Sequence, residues 1–135
     1  MMKSSEHRDF KLTYRKRGDM LFLQVSGDVD SQAVRIAYWQ EIAAITRTLG
    51  LRKLLVLDRK KYQPATPKEL AELAGIMHGH RDVADKVAVV EPTTEFVTAV
   101  EHAEIEGLEQ GINIRVFGNI QDAEHWLMYG LSEQA

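Results

Sequence analysis

The chain has 135 residues, 44% of them apolar and 27% charged. That is ordinary globular usage, which excludes wholesale disorder and leaves room for one domain with a proper core. Lysine and arginine total 17 against 20 acidic residues, a formal charge of −3, the wrong balance for a dedicated nucleic-acid binder. Cysteine is absent, so disulfides, thiolate nucleophiles and cysteine-ligated zinc are excluded.

Apolar runs such as Leu54-Leu55-Val56-Leu57 fall far short of a membrane span. The polar, charged start from Met1 to Phe10 does not have the pattern of a secretory signal. A cytoplasmic domain without stable membrane insertion is the expectation.

In chain order, Phe10, Leu12 and Tyr14 alternate with Lys11, Thr13 and Arg15, the pattern of a strand with one buried face. Arg17-Gly18-Asp19 supplies a turn, and Met20 to Val25 reads as a more buried strand. Gly27 and Asp28 end that strand, and Asp30 or Ser31 caps the helix that follows. Val34, Tyr38, Ile42, Ile45 and Leu49 then trace one helical stripe up to Gly50, which stands where a left-handed cap belongs.

Lys53 to Asp58 forms a nearly continuous apolar run suited to a central strand. Thr66-Pro67-Lys68-Glu69 combines a capping threonine, a proline at the first helical position and a glutamate three residues after the cap. Its helix carries Leu70, Leu73, Ala74 and Met77 on one face, with Gly79 as its stop. Lys86 to Glu91 is a further buried strand, stopped by Pro92. Thr93 or Thr94 caps a third helix that ends near Gly107 or Gly111. Ile112, Ile114 and Val116 mark the last strand, and Gly118-Asn119 precedes a final helix holding Ala123, Trp126 and Leu127.

The predicted order is β-β-α-β-α-β-α-β-α, one α/β domain over residues 1–135 with its ordered core at about 10–129. A hairpin followed by βα units implies a mixed five-stranded sheet, mostly parallel beyond the hairpin.

This order, the Leu54–Asp58 strand and the closing Ala123-Glu124-His125-Trp126-Leu127 resemble the STAS domains of anti-sigma-factor antagonists, and more closely the SpoIIAA-like branch of that superfamily. The resemblance runs from Phe10 to Leu127 and includes the Ile114-Arg115-Val116-Phe117 strand before the Ala-x-x-Trp-Leu helix. It implies helices gathered mainly on one face of the sheet. It also implies a regulatory or ligand-binding role in place of catalysis. Antagonists of this kind accept a phosphoryl group on a Ser or Thr at the start of the helix after the third strand, and Thr66 matches by position. The longer segment from Arg59 to Ala65 and the proline after Thr66 depart from that pattern.

Several candidate sites follow from the residues themselves. A phosphate on Thr66 would sit at a positive helix end; the plainer reading is an N-cap completed by Glu69. Asp58, Arg59, Lys60, Lys61 and Tyr62 lie at the carboxyl rim of the sheet, where open α/β sheets bind ligands, with Asp28, Glu91 and Asn119 expected nearby. The basic run there suits an anionic small molecule, lipid head groups or an acidic protein partner. Arg15-Lys16-Arg17 falls at the opposite rim, so the two basic clusters make no continuous patch.

Trp39 sits one position off the first helical stripe. It and Met77 are candidates to line a pocket for an amphiphilic ligand's tail. His78-Gly79-His80 with Asp82 and Asp85 reads as a helix terminus, since its spacing matches no metal motif. His102 and Glu106, among Glu95, Glu101, Glu104 and Glu109, share a helix face; as a metal or acid–base pair they would need a further ligand or a nucleophile that the sequence does not supply. No catalytic residue, cofactor or metal is therefore assigned. A homodimer through the last strand or the first hairpin is compatible with the unpaired edges those elements would leave.

Overall fold

A computed structural model describes residues 2–27, 31–59, 66–92 and 97–129, the last segment with side chains from residue 101. The elements are β1 (Lys3–Glu6), β2 (Lys11–Arg17), β3 (Met20–Ser26), α1 (Gln32–Leu49), β4 (Lys53–Asp58), α2 (Pro67–Met77), β5 (Lys86–Val90), α3 (Val97–Glu109), β6 (Ile114–Phe117) and α4 (Ile120–Tyr129). A single 3-10 turn, His78–His80, extends α2.

The sheet has six strands, not five, in the order β1-β2-β3-β4-β5-β6. The additional strand is β1, which pairs antiparallel with β2 from Lys3 opposite Tyr14 to Glu6 opposite Lys11. Its sequence, Lys-Ser-Ser-Glu, has no apolar alternation to betray it. It is held by backbone pairing and by Ser5 Oγ donating to Glu41 Oε2 at 2.9 Å. The hairpin edge expected on β2 is consequently covered.

β2 and β3 are antiparallel through a tight turn in which Gly18 takes φ 62°, and β3 to β6 are parallel. Strands that follow one another in space as they do in sequence, joined by crossovers of one hand, put every connecting helix on the same face. That face carries Leu21, Leu23, Leu54, Val56, Val87 and Val89, packed against Val34, Tyr38 and Ile42 of α1. Residues of the alternate register, Phe22, Leu55, Leu57, Ala88 and Val90, pack against Ala123, Trp126 and Leu127 of α4. Because α4 follows the last strand and crosses to no further one, it is free to cover the second face.

Helix boundaries follow local chemistry. Ser31 caps α1 by accepting the Val34 N–H at 3.2 Å, and Gly50 closes the helix at φ 69°. Leu49, the last residue of the predicted stripe, is 42% exposed and not part of the core. Gly79 does not stop α2; Met77 is the last α-helical residue and the 3-10 turn follows it. On α3, a Cβ at Gly107 would stand 2.6 Å from Ile114 Cγ2, so glycine there sets how closely α3 approaches β6.

Candidate functional site

Between the α1–α3 face of the sheet and its helices lies a cavity of about 170 Å³. The sheet contributes Leu54, Val87, Val89, Ile114 and Val116 to its wall, while the helices bring Trp39 and Ile42 from α1, Leu70, Leu73 and Met77 from α2, and Gly107 from α3. Among the described residues its interior is thus apolar. For scale, an engineered apolar cavity of about 150 Å³ accepts benzene.

The polar lining gathers at the two ends. At the carboxyl ends of the strands are Asp58, Glu91 and Arg35. Strand alternation explains the acids: Asp58 follows Leu54 and Val56 on the inner face, and Glu91 follows Val87 and Val89. With Leu57 paired to Val90, one further step sets Asp58 beside Glu91. Glu91 is 3% exposed and Arg35 is 7% exposed. Burial on this scale requires charges to be matched, and the Arg35 guanidinium lies 3.6 Å from Glu69 Oε1 and 3.3 Å from Gln32 Oε1.

Gln32 also donates to the Glu69 carbonyl at 2.7 Å and to Glu72 Oε1 at 2.8 Å. These contacts tie the start of α1 to the start of α2. Thr66 is engaged in a complete capping box: its hydroxyl accepts the Glu69 N–H at 3.1 Å, and its own N–H donates to Glu69 Oε1 at 3.0 Å. The bond from the Thr66 N–H, helped by the charge on Arg35, holds the Glu69 carboxyl below its ordinary value of 4.5.

At the amino ends of the strands, the lining changes sign to His80 and Arg81. The Arg47 guanidinium, in the last turn of α1, lies 3.5 Å from His80 Nδ1. Arg81 donates to the His78 carbonyl at 2.9 Å, and His78 Nδ1 donates to the Gln110 carbonyl at 2.9 Å. Nearby, Arg52 is bound at 2.8 Å to Asp85, which raises the guanidinium and lowers the carboxyl.

Of the residues expected at the rim, Asp58, Glu91 and Met77 line the cavity, Asp58 and Glu91 at one end of it and Met77 at the other. Met77 closes α2 beside His80, at the end of the cavity away from Asp58, because α2 runs antiparallel to the strands. Arg59 continues the β4 ladder, its N–H donating to the Val25 carbonyl at 2.9 Å. It therefore alternates with Asp58 and belongs to the other face. Lys60, Lys61 and Tyr62 lie outside the described residues, as do Asp28, Asp30, Thr93, Thr94, Glu95 and Phe96. Asn119 caps α4 by accepting the Asp122 N–H at 2.8 Å, on the face away from the cavity. His102 is exposed on α3, and no three His, Asp or Glu side chains converge on a common point among the described residues.

Arg35 and Arg81 are charged cavity residues not singled out from the sequence; Arg35 is the more deeply buried. Its signal was present, since Arg35, Tyr38, Trp39 and Ile42 recur at helical spacing, and all four line the cavity. The sheet's far edge is also guarded. Val116 N–H, on the outer side of β6, donates to Glu104 Oε2 of α3 at 3.0 Å, which occupies a group that strand pairing with another chain would need. No helix among the described residues is long and apolar enough to cross a membrane. No family model, curated protein or solved structure matches the chain.

Proposed function

We propose that this protein is a non-enzymatic regulatory or ligand-binding module. It takes an apolar or amphiphilic small molecule between the sheet and helices α1 to α3. The SpoIIAA-like resemblance belongs to this proposal. So does the carboxyl rim at Asp58 to Thr66 as the place where binding is felt, by the ligand or by a protein partner. The observation that supports it is the apolar cavity of about 170 Å³ with ionic groups confined to its ends. An interior of Leu, Val, Ile and Met offers burial to a hydrophobic body.

Occupancy would couple to the rim through α2. That helix supplies Leu70, Leu73 and Met77 to the wall, and its first turn is tied to Gln32 and Arg35. Trp39 in the cavity wall reports on occupancy. Titration with 1-octanol is expected to change tryptophan emission saturably in the wild type, with Trp126, buried on the other face, contributing a constant background. Ala74→Leu, which grows a side chain into the cavity from α2, should abolish that change. Emission that never saturates, or that responds equally in Ala74→Leu, contradicts the reading.

A further inference from the structure

The sheet register gathers cations that the chain keeps far apart. On the α4 face, Arg17 stands opposite Met20, Met20 opposite Lys53, and Lys53 opposite Lys86. In the next row Arg15 stands opposite Phe22, and Arg115 opposite Ala88. Directly opposite side chains share a face, and Met20, Phe22 and Ala88 belong to the cluster that α4 covers. All five cations therefore lie at the amino rim of the α4 face. Lys53 and Lys86 stand on neighbouring strands about 4.8 Å apart, and like charges directly opposite one another are destabilising.

Packing and ion pairs account for part of this row. Arg15 lies 5.5 Å from the Phe22 ring centroid, and Lys86 and Arg115 lie 5.6 and 5.9 Å from that of Trp126. Trp126 is in the last turn of α4, where the negative end of a helix dipole favours cations. Glu124 pairs with Arg17 at 2.6 Å and Asp19 with Lys53 at 3.0 Å. Asp85 is bound to Arg52 at 2.8 Å and also feels Lys86, while Asp82 adds its charge beside Arg52. Arg15 and Lys86 are left without an ion pair among the described residues. This row stands in a chain whose formal charge is −3, and the acidic helix α3 lies over the opposite face.

A second observation adjoins the row. Met128 and Tyr129, in the same last turn of α4, are the most exposed large apolar side chains among the described residues. Cations bordered by exposed apolar and aromatic groups are the composition of a protein interface. From β2 to β6 the row crosses four strand spacings, about 19 Å, so its counterpart carries several anionic groups in line. The net negative charge of the chain opposes a nucleic acid in that place.

We infer that the amino rim of the α4 face is a docking surface for an acidic segment of a protein partner, whose carboxylates lie along Arg15, Arg17, Lys53, Lys86 and Arg115. It is on the opposite side of the sheet from the cavity and stands apart from the ligand reading. Glu133, which follows α4, lies outside the described residues.

The test titrates the full chain into fluorescein-labelled octaglutamate and follows anisotropy. Saturable binding that weakens as salt is raised is expected. Arg15→Gln with Lys86→Gln, which breaks no ion pair, should weaken binding about fivefold or more, and Arg15→Lys with Lys86→Arg should retain it. Lys16, on the same strand as Arg15, stands opposite Leu21 on the other face, and Lys16→Gln should change the affinity less than about twofold. Labelled octathymidylate should bind more weakly than octaglutamate. Absence of saturable binding, an equal loss in Lys16→Gln, or tighter binding of octathymidylate overturns the assignment. So does a gain of about fivefold in Glu133→Gln, which would make the chain's own segment the occupant. The 1-octanol titration is independent of all these outcomes, so failure here and failure of the cavity reading are told apart.

Discussion

The two faces of the sheet are built from the same strands and differ in how they are filled. On one, a single ten-residue helix, α4, seats Ala123, Trp126 and Leu127 directly on Leu55, Leu57, Ala88 and Val90. On the other, α1, α2 and α3 share the cover and leave about 170 Å³ between them. More helix thus gives less complete packing. A protein interior normally approaches the density of an organic crystal; the apolar gap on the first face is where the proposed ligand would lie, while α4 side chains fill the second, the foundation.

The largest test of that contrast is truncation on the foundation. Leu127 is fully buried, and Leu127→Ala is expected to cost about 3–5 kcal/mol in denaturant unfolding through lost burial and the cavity left behind. A loss below about 1 kcal/mol would show that the α4 face is as loosely filled as the other.

A matched pair sharpens the comparison. Ala88 on the α4 face and Ala74 on the cavity wall are both buried. Ala88→Leu should cost about 1–3 kcal/mol from overpacking, whereas Ala74→Leu should stay within about 1 kcal/mol of the wild type because its extra carbons enter existing space. Equal penalties, read by the same unfolding curves, would break the distinction between the faces.

Smaller effects attend the rim. Thr66→Ala removes one half of the capping box and is expected to cost about 1 kcal/mol. Glu69 supplies the other half, and its pH dependence has a definite sign. Its carboxyl is held below the ordinary value of 4.5 by the Thr66 N–H and by Arg35, so the ionised group stabilises the fold above that value. The contribution fades as pH falls through the depressed value. Glu69→Gln should therefore flatten the drop in Tm below pH 4.5, with Asp19 and Asp85, both also lowered by basic partners, accounting for what remains.

Much of this fold was legible in the sequence because its signals are local. Gly50 after the α1 stripe, the Thr66-Pro67-Lys68-Glu69 box, the β4 run and the Ala123, Trp126 and Leu127 spacing each name their element through backbone geometry or periodicity. β1 was hidden because Lys3 to Glu6 bury almost nothing and are positioned by the edge of β2. The candidate site was legible only in part. Asp58 and Met77 were marked, yet the same two-residue alternation that aims Asp58 inward sends Arg59 to the other face, a consequence the sequence contained. What it did not contain is the meeting of Arg47 with His80. Those residues are far apart along the chain, and their proximity exists only once α1 and α2 are laid antiparallel to the strands.

The most direct measurement is isotope-edited nuclear Overhauser spectroscopy of the full chain with saturating unlabelled octanoate. The account predicts ligand contacts to the methyl groups of Leu70, Leu73, Met77 and Val89, and none to those of Leu55, Leu57 or Leu127. Contacts confined to the α4 face, or the absence of any contact to the cavity methyls, would contradict it.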